Sequence, residues 1–274
     1  MSIDVDLRGK DASALKTKKL WLFDMDGTIY LGNDIFPYTI PLFEEIRRRG
    51  ARYVLVTNNS SKSVDAYVAK CTRMGIEATA DDFFTSVQAL VLYLKEKHEG
   101  ALCYVQGTKS FVEQLKENGI RVTEEVNPEA TVVVVGFDTE LTFEKLNRTS
   151  QMLTNFDGAY LAANLDLVCP TEFGYVPDCG SMCIGLEKAT GRYPIGIGKP
   201  EPTMLEIACK KAGVDKKDAV MIGDRLYTDI ASGVNAGIDT IAVLSGEATY
   251  DEILAYEKQP TWIFNSVKEI LEAL

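Results

Sequence analysis

The chain has 274 residues, of which 46% are hydrophobic and 25% are charged, and its formal net charge is -11 at pH 7. A chain of this length can bury a sizeable core in one large domain or two modest ones. The acidic residues are spread along the sequence without a basic face, which argues against a nucleic-acid polymer as partner. A small anion can still bind where a local cation, such as a metal ion, is present.

Membrane, thiol and histidine chemistry are all disfavoured by the sequence. No apolar run approaches the roughly 20 residues that span a membrane, so we expect a cytoplasmic protein without a membrane contact. The six cysteines form no CxxC pair, which favours buried, reduced thiols over a zinc site built from Cys169, Cys179 and Cys183. The single histidine, His98, lies in a charged run typical of a solvated helix end. Carboxylates therefore become the groups to examine.

Strand-like and helical segments alternate along the chain. Strands are predicted at 20–23, 52–56, 101–105, 131–135, 160–163, 219–222 and 240–244, and helices at 39–49, 63–74, 111–118, 143–155 and 229–236. This alternation predicts an α/β fold with a doubly wound parallel sheet, covered by helices on both faces. In such sheets ligands bind beyond the carboxyl ends of the strands, so polar residues that follow strands deserve inspection. Periodicity alone leaves open whether the middle of the chain is an inserted domain or more of one large sheet.

Two aspartates follow the first predicted strand, in the segment Asp24-Met25-Asp26-Gly27-Thr28. If the strand continues, Asp24 and Asp26 share a face and point into one crevice. Like charges this close are costly unless a cation or a proton intervenes. The pair is therefore either a solvated Asp-Gly turn or a metal-dependent pair with divided roles.

The second predicted strand runs into Thr57-Asn58-Asn59-Ser60-Ser61, just before a predicted helix. A hydroxyl and main-chain N–H groups near a helix start suit a phosphate. Capping of the helix by Ser60 or Ser61 is the simpler explanation when the segment is taken alone.

Two segments near the other end of the chain also place polar residues beside predicted elements. Asp224 and Asp229 follow the strand at 219–222, where Asp229 could merely cap its helix. Lys199 follows a glycine-rich approach and precedes a helix that Glu201-Pro202 would start. Each of these residues is unremarkable by itself.

Together the four segments resemble the ordered motifs of the haloacid-dehalogenase-like (HAD) hydrolase superfamily. Its signature is DxDGT, a threonine or serine after the second strand, a lysine, and then GDxxxxD, all present here in order. The resemblance covers most of the chain and implies a Rossmann-like core. Finer matches favour the NagD-like, or p-nitrophenyl phosphatase, subfamily, and they lie at 26–30, 57–60, 135–138 and 223–229.

The resemblance implies a phosphatase that uses Mg²⁺. Asp24 would be the nucleophile that forms an aspartyl-phosphate, and Asp26 would be the general acid and base. The Asp24 carboxylate, the Asp26 main-chain carbonyl and Asp224 would bind the metal. Asp229 would support this shell from behind. The phosphate-binding residues would be Thr57, Asn58, Asn59 and Lys199, of which Lys199 would also be catalytic.

Spacing between the motifs indicates where extra material is inserted. Asp24 and Thr57 are 33 positions apart, whereas Thr57 and Lys199 are 142 apart, far beyond an ordinary loop. We therefore predict an inserted α/β cap at 100–192 within a core formed by 1–99 and 193–274. In the cap, Asn164 and Asp166 resemble a substrate-specificity loop that similar caps project over the active site. An Asx turn without substrate contact is the alternative.

The predicted substrates are small phosphorylated metabolites, namely nucleoside monophosphates, sugar phosphates and p-nitrophenyl phosphate. A narrow phosphoglycolate-type phosphatase and a phosphotransferase on the same fold stay open, and so does a catalytically silent binding module. The presence of all four motif residues, Asp24, Asp26, Lys199 and Asp224, argues against the silent module. Because caps of this subfamily contribute to dimer contacts, a homodimer is the expected oligomer.

Overall fold

The computed structural model describes residues 4–171 and 173–274. Its strands are β1 (Leu20–Phe23), β2 (Tyr30–Leu31), β3 (Asp34–Ile35), β4 (Arg52–Thr57), β5 (Phe83–Thr85), β6 (Leu102–Gln106), β7 (Arg121–Thr123), β8 (Val132–Val135), β9 (Ala159–Ala162), β10 (Val168–Thr171), β11 (Gly174–Pro177), β12 (Ile195–Gly196), β13 (Ala219–Gly223), β14 (Asp239–Val243) and β15 (Trp262–Phe264). Its α-helices are α1 (Thr39–Arg48), α2 (Val64–Arg73), α3 (Ser86–Lys97), α4 (Lys109–Glu117), α5 (Phe143–Leu153), α6 (Cys179–Thr190), α7 (Thr203–Ala212), α8 (Ala231–Ala236), α9 (Tyr250–Ala255) and α10 (Val267–Ala273).

Contacts between residues divide the chain into two compact units. The first contains the residues up to Thr57, Asp65–Phe84 and Pro200–Leu274, and the second contains Asn58–Val64 and Thr85–Lys199. Helix α3 thus belongs to the second unit. The predicted domain limits at 99/100 and 192/193 stay a prediction.

The first unit is built on a six-stranded sheet in the order β15-β14-β13-β1-β4-β5. Strand β1 pairs in parallel with β13 on one side and β4 on the other, so that Phe23 lies opposite Ile222 and Leu55. All four residues of β1 are buried, as expected of a strand in the middle of a covered parallel sheet. The chain order reverses at β1, and the edge beyond such a switch point is where ligands bind in open α/β sheets.

Helix α1 is held against this sheet by aromatic contacts. The rings of Phe43 on α1 and Tyr53 on β4 stack with centroids 4.0 Å apart, and Phe43 also meets Phe23 edge-on at 5.3 Å. The helix ends at Arg48, and Gly50 just beyond it has a φ of 74°, a conformation that glycine adopts without strain. The predicted helix end at this glycine is therefore confirmed.

The second unit has its own parallel sheet, in the order β12-β9-β8-β6-β7, and a separate hairpin of β10 and β11. Its core joins the inner faces of β8 and β9 to α6, through residues such as Val133, Tyr160 and Cys183. Among the residues that the structure describes, the strands of the middle of the chain pair only with one another, so the middle is not more of one large sheet. The predicted α/β class, with a parallel sheet and a second α/β unit, is confirmed.

Three further sequence predictions can be compared with the structure. No helix in the described ranges is long and apolar enough to cross a membrane. All six cysteines are free thiols, and five of them are buried while Cys169 is half-buried. His98 follows the last turn of α3, as its charged surroundings indicated.

Candidate active site

Three of the sequence motifs end on adjacent strands of the first unit. Asp24 follows β1, Thr57 is the last residue of β4, and Asp224 follows β13. Since β4, β1 and β13 are neighbours and run in parallel, their carboxyl ends meet at one edge of the sheet. The main-chain N–H of Asp24 donates to the carbonyl of Ile222 at 2.8 Å, which continues the β1–β13 ladder up to the aspartate.

Asp24, Asp224 and Asp229 form an aspartate cluster at this edge. One carboxylate oxygen of each residue lies within 4.8 Å of those of the other two. Asp224 and Asp229 are buried, with exposed fractions of 3% and 0%, whereas Asp24 is half-buried. Within the described ranges this is the group of three acidic, histidine or cysteine side chains close enough to hold a metal ion, and the cysteines considered for zinc form no such group.

The Asp224 carboxylate is held in a tight cradle. Its Oδ1 accepts a hydrogen bond from the Thr28 hydroxyl at 3.1 Å, and its Oδ2 accepts one from the Glu247 main-chain N–H at 2.9 Å. A Cβ added at Gly27 or Gly246 would come within 2.3 or 2.0 Å of Oδ2. Both positions therefore require glycine if the carboxylate is to keep this place.

Asp229 is placed by an unusual turn of helix. The sequence predicted a helix from this residue, but the chain is already helical from Leu226, as the π-helical segment Leu226–Ile230 that leads into α8. The Asp229 carboxylate accepts a hydrogen bond from the Arg225 main-chain N–H at 3.1 Å. Gly223 leaves room for it, since a Cβ there would lie 2.3 Å from the Cβ of Asp229. Asp229 does not cap a helix and instead lies among the carboxylate oxygens that are close enough together to hold a metal ion.

The electrostatics of the cluster are unfavourable for the protein alone. Burial, and then the charge of Asp24, raise the pKa of Asp224 to about 6. Burial lowers the pKa of Arg225, but the nearby charges of Asp24 and Asp229 outweigh it and raise that pKa above its usual value. The Arg225 Nε also forms an ion pair with Glu247 at 3.1 Å. Crowded, partly desolvated carboxylates of this kind fit a divalent cation with oxygen ligands.

Asp26 is more exposed to solvent than the three aspartates of the cluster. Strand β1 ends at Phe23, so the predicted sharing of one strand face by Asp24 and Asp26 does not apply. Asp26 is exposed, its carboxylate accepts a hydrogen bond from the Gly32 N–H at 3.3 Å, and it forms an isolated bridge with Tyr30. Gly27, with a φ of 84°, makes the turn between Asp26 and Tyr30 possible. An exposed carboxyl group is free to exchange protons with water or a bound molecule.

In the second unit, Asn58 and Lys199 are bonded to each other. The Lys199 N–H donates to Asn58 Oδ1 at 2.8 Å, and Asn58 Nδ2 donates to the Lys199 carbonyl at 2.7 Å. Both residues are buried, with exposed fractions of 6% and 2%. The Asn58 carboxamide is therefore hydrogen-bonded to the main chain of Lys199, which is another predicted site residue.

Asn164 and Asp166 are joined to this same asparagine. Asn164 donates from Nδ2 to the Asn58 carbonyl at 2.9 Å and accepts from the Asp166 N–H at 3.1 Å, while Asp166 accepts from Asn58 Nδ2 at 2.9 Å. The bond from Asn164 to the N–H two residues later is an Asx turn, which was the alternative to a specificity loop. Asn164 is fully buried. Substrate contact by Asp166 stays a prediction.

The remaining residues of the second motif have local partners. Asn59 Oδ1 accepts hydrogen bonds from the Ser61 N–H at 2.9 Å and the Ser61 hydroxyl at 2.7 Å. Ser60 does not cap α2, which begins only at Val64, and its hydroxyl oxygen accepts from the Phe137 N–H at 2.9 Å. The capping interpretation of Ser60 is therefore wrong, because the chain needs three more residues before the helix starts.

This chain is similar to known proteins over most of its length. A family model described as haloacid dehalogenase-like hydrolase matches residues 21–121, and a second, HAD-hydrolase-like, matches residues 196–270. An acid sugar phosphatase of Staphylococcus haemolyticus is 32% identical over 260 residues, covering 95% of this chain and 98% of the relative. The 5'-nucleotidase YutF of Bacillus subtilis is 33% identical, covering 93% and 98%. The chain belongs to the haloacid dehalogenase-like hydrolases.

Solved structures narrow the position of this HAD hydrolase within the family. A 4-nitrophenylphosphatase from Thermotoga maritima superposes with a TM-score of 0.89 at 35% identity, covering 94% of this chain and 98% of the other. NagD from E. coli K-12 superposes with a TM-score of 0.84 at 30% identity, covering 92% and 97%. The predicted likeness to NagD and the p-nitrophenyl phosphatases is confirmed, and so is the prediction of an enzyme that hydrolyses phosphoric monoesters.

Sequence reasoning assigned no role to several residues of the HAD site in the first unit. Thr28 and the segment 245–247 bind or border Asp224, and the Ser245 hydroxyl donates to the Gly27 carbonyl at 2.7 Å. The signal was available, because Ser245-Gly246-Glu247 follows closely on β14, at the same edge of the sheet. A rule that inspects every strand end, rather than only those with acids, would have found it.

Proposed function

We propose that this HAD hydrolase is a Mg²⁺-dependent phosphatase that hydrolyses small phosphate monoesters through an aspartyl-phosphate on Asp24. The observation that supports it most is the aspartate cluster, in which three carboxylates come within 4.8 Å at the switch point of a parallel sheet. The names of the relatives, a sugar phosphatase, a 5'-nucleotidase and a 4-nitrophenylphosphatase, support a substrate range of sugar phosphates, nucleoside monophosphates and p-nitrophenyl phosphate.

In the first half-reaction, a carboxylate oxygen of Asp24 attacks phosphorus and the bond from phosphorus to the leaving oxygen breaks. Asp26, as a carboxylic acid, gives its proton to that oxygen. In the second half-reaction, the Asp26 carboxylate takes a proton from water, and the water oxygen attacks phosphorus. The bond between phosphorus and Asp24 then breaks, and inorganic phosphate and the original carboxylate are released. The exposure of Asp26 supports a group that must receive and return a proton.

The metal would be held by Asp24, Asp224 and the main-chain carbonyl of Asp26, with Asp229 beside them. When bound, Mg²⁺ supplies the positive charge that offsets both the crowded carboxylates and the phosphoryl oxygens. The cradle around Asp224 keeps one ligand in place before any metal arrives. Thr57, Lys199 and the main chain around Asn58 and Asn59 would bind the transferring phosphoryl group, as the order of the motifs implies.

Release of inorganic phosphate tests this proposal directly. The purified chain, freed of metal with EDTA, is assayed with p-nitrophenyl phosphate, a hexose phosphate and a nucleoside 5'-monophosphate, with and without added Mg²⁺. We expect turnover only with Mg²⁺, and inhibition by excess Ca²⁺, which takes more oxygen ligands and would engage both oxygens of the nucleophile. Full activity in metal-free buffer would reject the mechanism. Transfer of phosphate to an added alcohol in place of water would indicate a phosphotransferase.

The proposed partners are small phosphorylated metabolites in the cytoplasm. The net charge of -11 is consistent with this choice, because it disfavours polyanionic partners while a bound metal still admits a small anion. The predicted homodimer is a separate proposal, which light scattering of the purified chain tests.

A further inference from the structure

The side chain of Asn58 binds the main chain of Lys199 on both sides of the residue. Its Oδ1 accepts the Lys199 N–H at 2.8 Å, and its Nδ2 donates to the Lys199 carbonyl at 2.7 Å. A carboxamide is the side chain whose acceptor and donor match the N–H and C=O of a single residue in this way. The two bonds connect residues 141 positions apart in sequence. They define where the Lys199 Cα lies and in which direction its side chain leaves the main chain.

The residues around the two hydrogen bonds leave no room for a side chain at Gly198. A Cβ added at Gly198 would lie 2.5 Å from Asn58 Oδ1 and 2.9 Å from the Ala163 carbonyl, so the residue before Lys199 has to be glycine for the amide to approach. Lys199 and Asn58 are both buried, so a donor or acceptor left unpaired there would destabilise the fold.

Asn58 is itself held from three directions. Its carbonyl accepts hydrogen bonds from the Ser86 hydroxyl at 2.7 Å and from Asn164 Nδ2 at 2.9 Å. The second hydrogen of its Nδ2 group is directed to the Asp166 carboxylate at 2.9 Å. We call these residues, Ser86, Asn164 and Asp166 with Asn58 and Lys199, the Asn58 network. Since its members fix one another, the amide has a single orientation.

We propose that Asn58 is a positioning residue for Lys199, and that it acts through the lysine rather than by binding phosphate with its own side chain. This inference rests on the proposed function, in which Lys199 binds the transferring phosphoryl group. A lysine has four rotatable side-chain bonds, so its ammonium group is placed well only if its main chain is fixed. Displacement of a catalytic group by about 1 Å can cost about 100-fold in rate.

A double-mutant cycle tests this inference. Asn58→Ala, Lys199→Ala and the double variant are assayed with p-nitrophenyl phosphate and Mg²⁺, and the inhibition constant of inorganic phosphate is measured for each. We expect Asn58→Ala to lower kcat/KM about 100-fold in the parent but less than about 3-fold in the Lys199→Ala background, because the group it positions is then absent. Asn58→Ala should raise the inhibition constant of inorganic phosphate in the parent, and it should leave that constant unchanged in the Lys199→Ala background.

Asn58→Asp is a second test variant, and Asn118→Ala is the control. Asn58→Asp keeps the size of the side chain but removes both donated bonds, and it should show the same coupling if the alanine variant unfolds too readily. Asn118 is an exposed asparagine of the second unit, and its replacement should leave kcat/KM unchanged. Urea unfolding confirms that each variant is folded under assay conditions.

The possible failures are distinguishable. Equal losses from Asn58→Ala in both backgrounds would overturn the positioning role and leave Asn58 as a structural residue. Full activity of Lys199→Ala would instead overturn the proposed role of the lysine, and the positioning inference with it. A parent chain that releases no phosphate from any ester would overturn the proposed function itself.

Discussion

The aspartate cluster of the first unit and the Asn58 network of the second are built on opposite principles. In the cluster, three carboxylates lie together and two of them are buried, so like charges are crowded, with the Arg225 guanidinium nearby. In the network, amide, hydroxyl, carboxylate and main-chain groups are matched as donors and acceptors, all with bonds of 2.7–3.1 Å.

This difference distinguishes residues that bind a ligand from residues that stabilise the conformation of the site. Charge crowding is unfavourable for folding, so the cluster is best explained by a ligand that the folded chain binds. A satisfied polar network stabilises one conformation and needs no ligand to explain it. Substitutions in the cluster should therefore reduce activity while sparing or raising stability, and substitutions in the network should reduce both.

The largest effect is expected for Asp24→Asn. The amide is a poor nucleophile, so kcat should fall about 10⁴-fold or more and no phosphoenzyme should form. Acid quenching with ³²P-labelled substrate measures the phosphoenzyme. Asp34→Asn, the same change at an exposed aspartate of the same unit, should keep parent activity. Labelled Asp24→Asn protein would disprove the assignment of the nucleophile.

Asp26→Asn should have a smaller effect that depends on the leaving group. With an alkyl phosphate, whose alkoxide needs a proton, kcat/KM should fall about 10²–10³-fold. With p-nitrophenyl phosphate the loss should be much less, because p-nitrophenolate leaves without protonation. Initial rates with the two substrates, compared as a ratio, check this contrast. Equal losses on both would contradict the acid role of Asp26.

Asn164→Ala should show the cost of breaking the network. Two hydrogen bonds of a fully buried side chain are lost, which leaves the Asn58 carbonyl and the Asp166 N–H short of a partner each. The free energy of unfolding should fall by about 2–3 kcal/mol, measured by urea titration. The exposed Asn118→Ala is the matched control and should change it little. If Asn164 also contacts substrate, the order of preference among phosphate esters should change in the folded variant.

Asp224→Asn should change the free energy of unfolding in the direction opposite to Asn164→Ala. In EDTA, the substitution removes a buried charge while the amide can still accept from Glu247 and bond to Thr28. Because the pKa of Asp224 is raised from 3.8 to about 6, the folded parent loses stability as the pH rises from about 4 to about 6. The variant should therefore unfold like the parent at pH 4 and be more stable by about 3 kcal/mol at pH 7.5. A variant that is less stable than the parent at pH 7.5 would refute this account of the cluster.

Much of this fold was predictable because local patterns decide it. Buried runs such as Leu20–Phe23 and Val132–Val135 became strands, and the helix predicted at 39–49 ended beside its glycine as expected. The two hairpins and helices α6 and α10 were not predicted, since short or weakly periodic segments give little signal. The π-helical turn before α8 was also missed, because sequence patterns distinguish poorly between helix types.

The sequence by itself determined which chemical groups this protein brings to the ends of its strands, because motif order and strand patterning are local properties. It placed Asp24, Thr57 and Asp224 at strand ends, and the structure has them there. Only the tertiary structure decided that Thr28 and Glu247 hold Asp224. Only the tertiary structure also decided that the Asn58 carboxamide forms two hydrogen bonds with the main chain of Lys199. The contacts of Thr28 with Asp224 and of Asn58 with Lys199 join residues 196 and 141 positions apart, and side-chain direction and burial at such distances depend on how the whole chain packs.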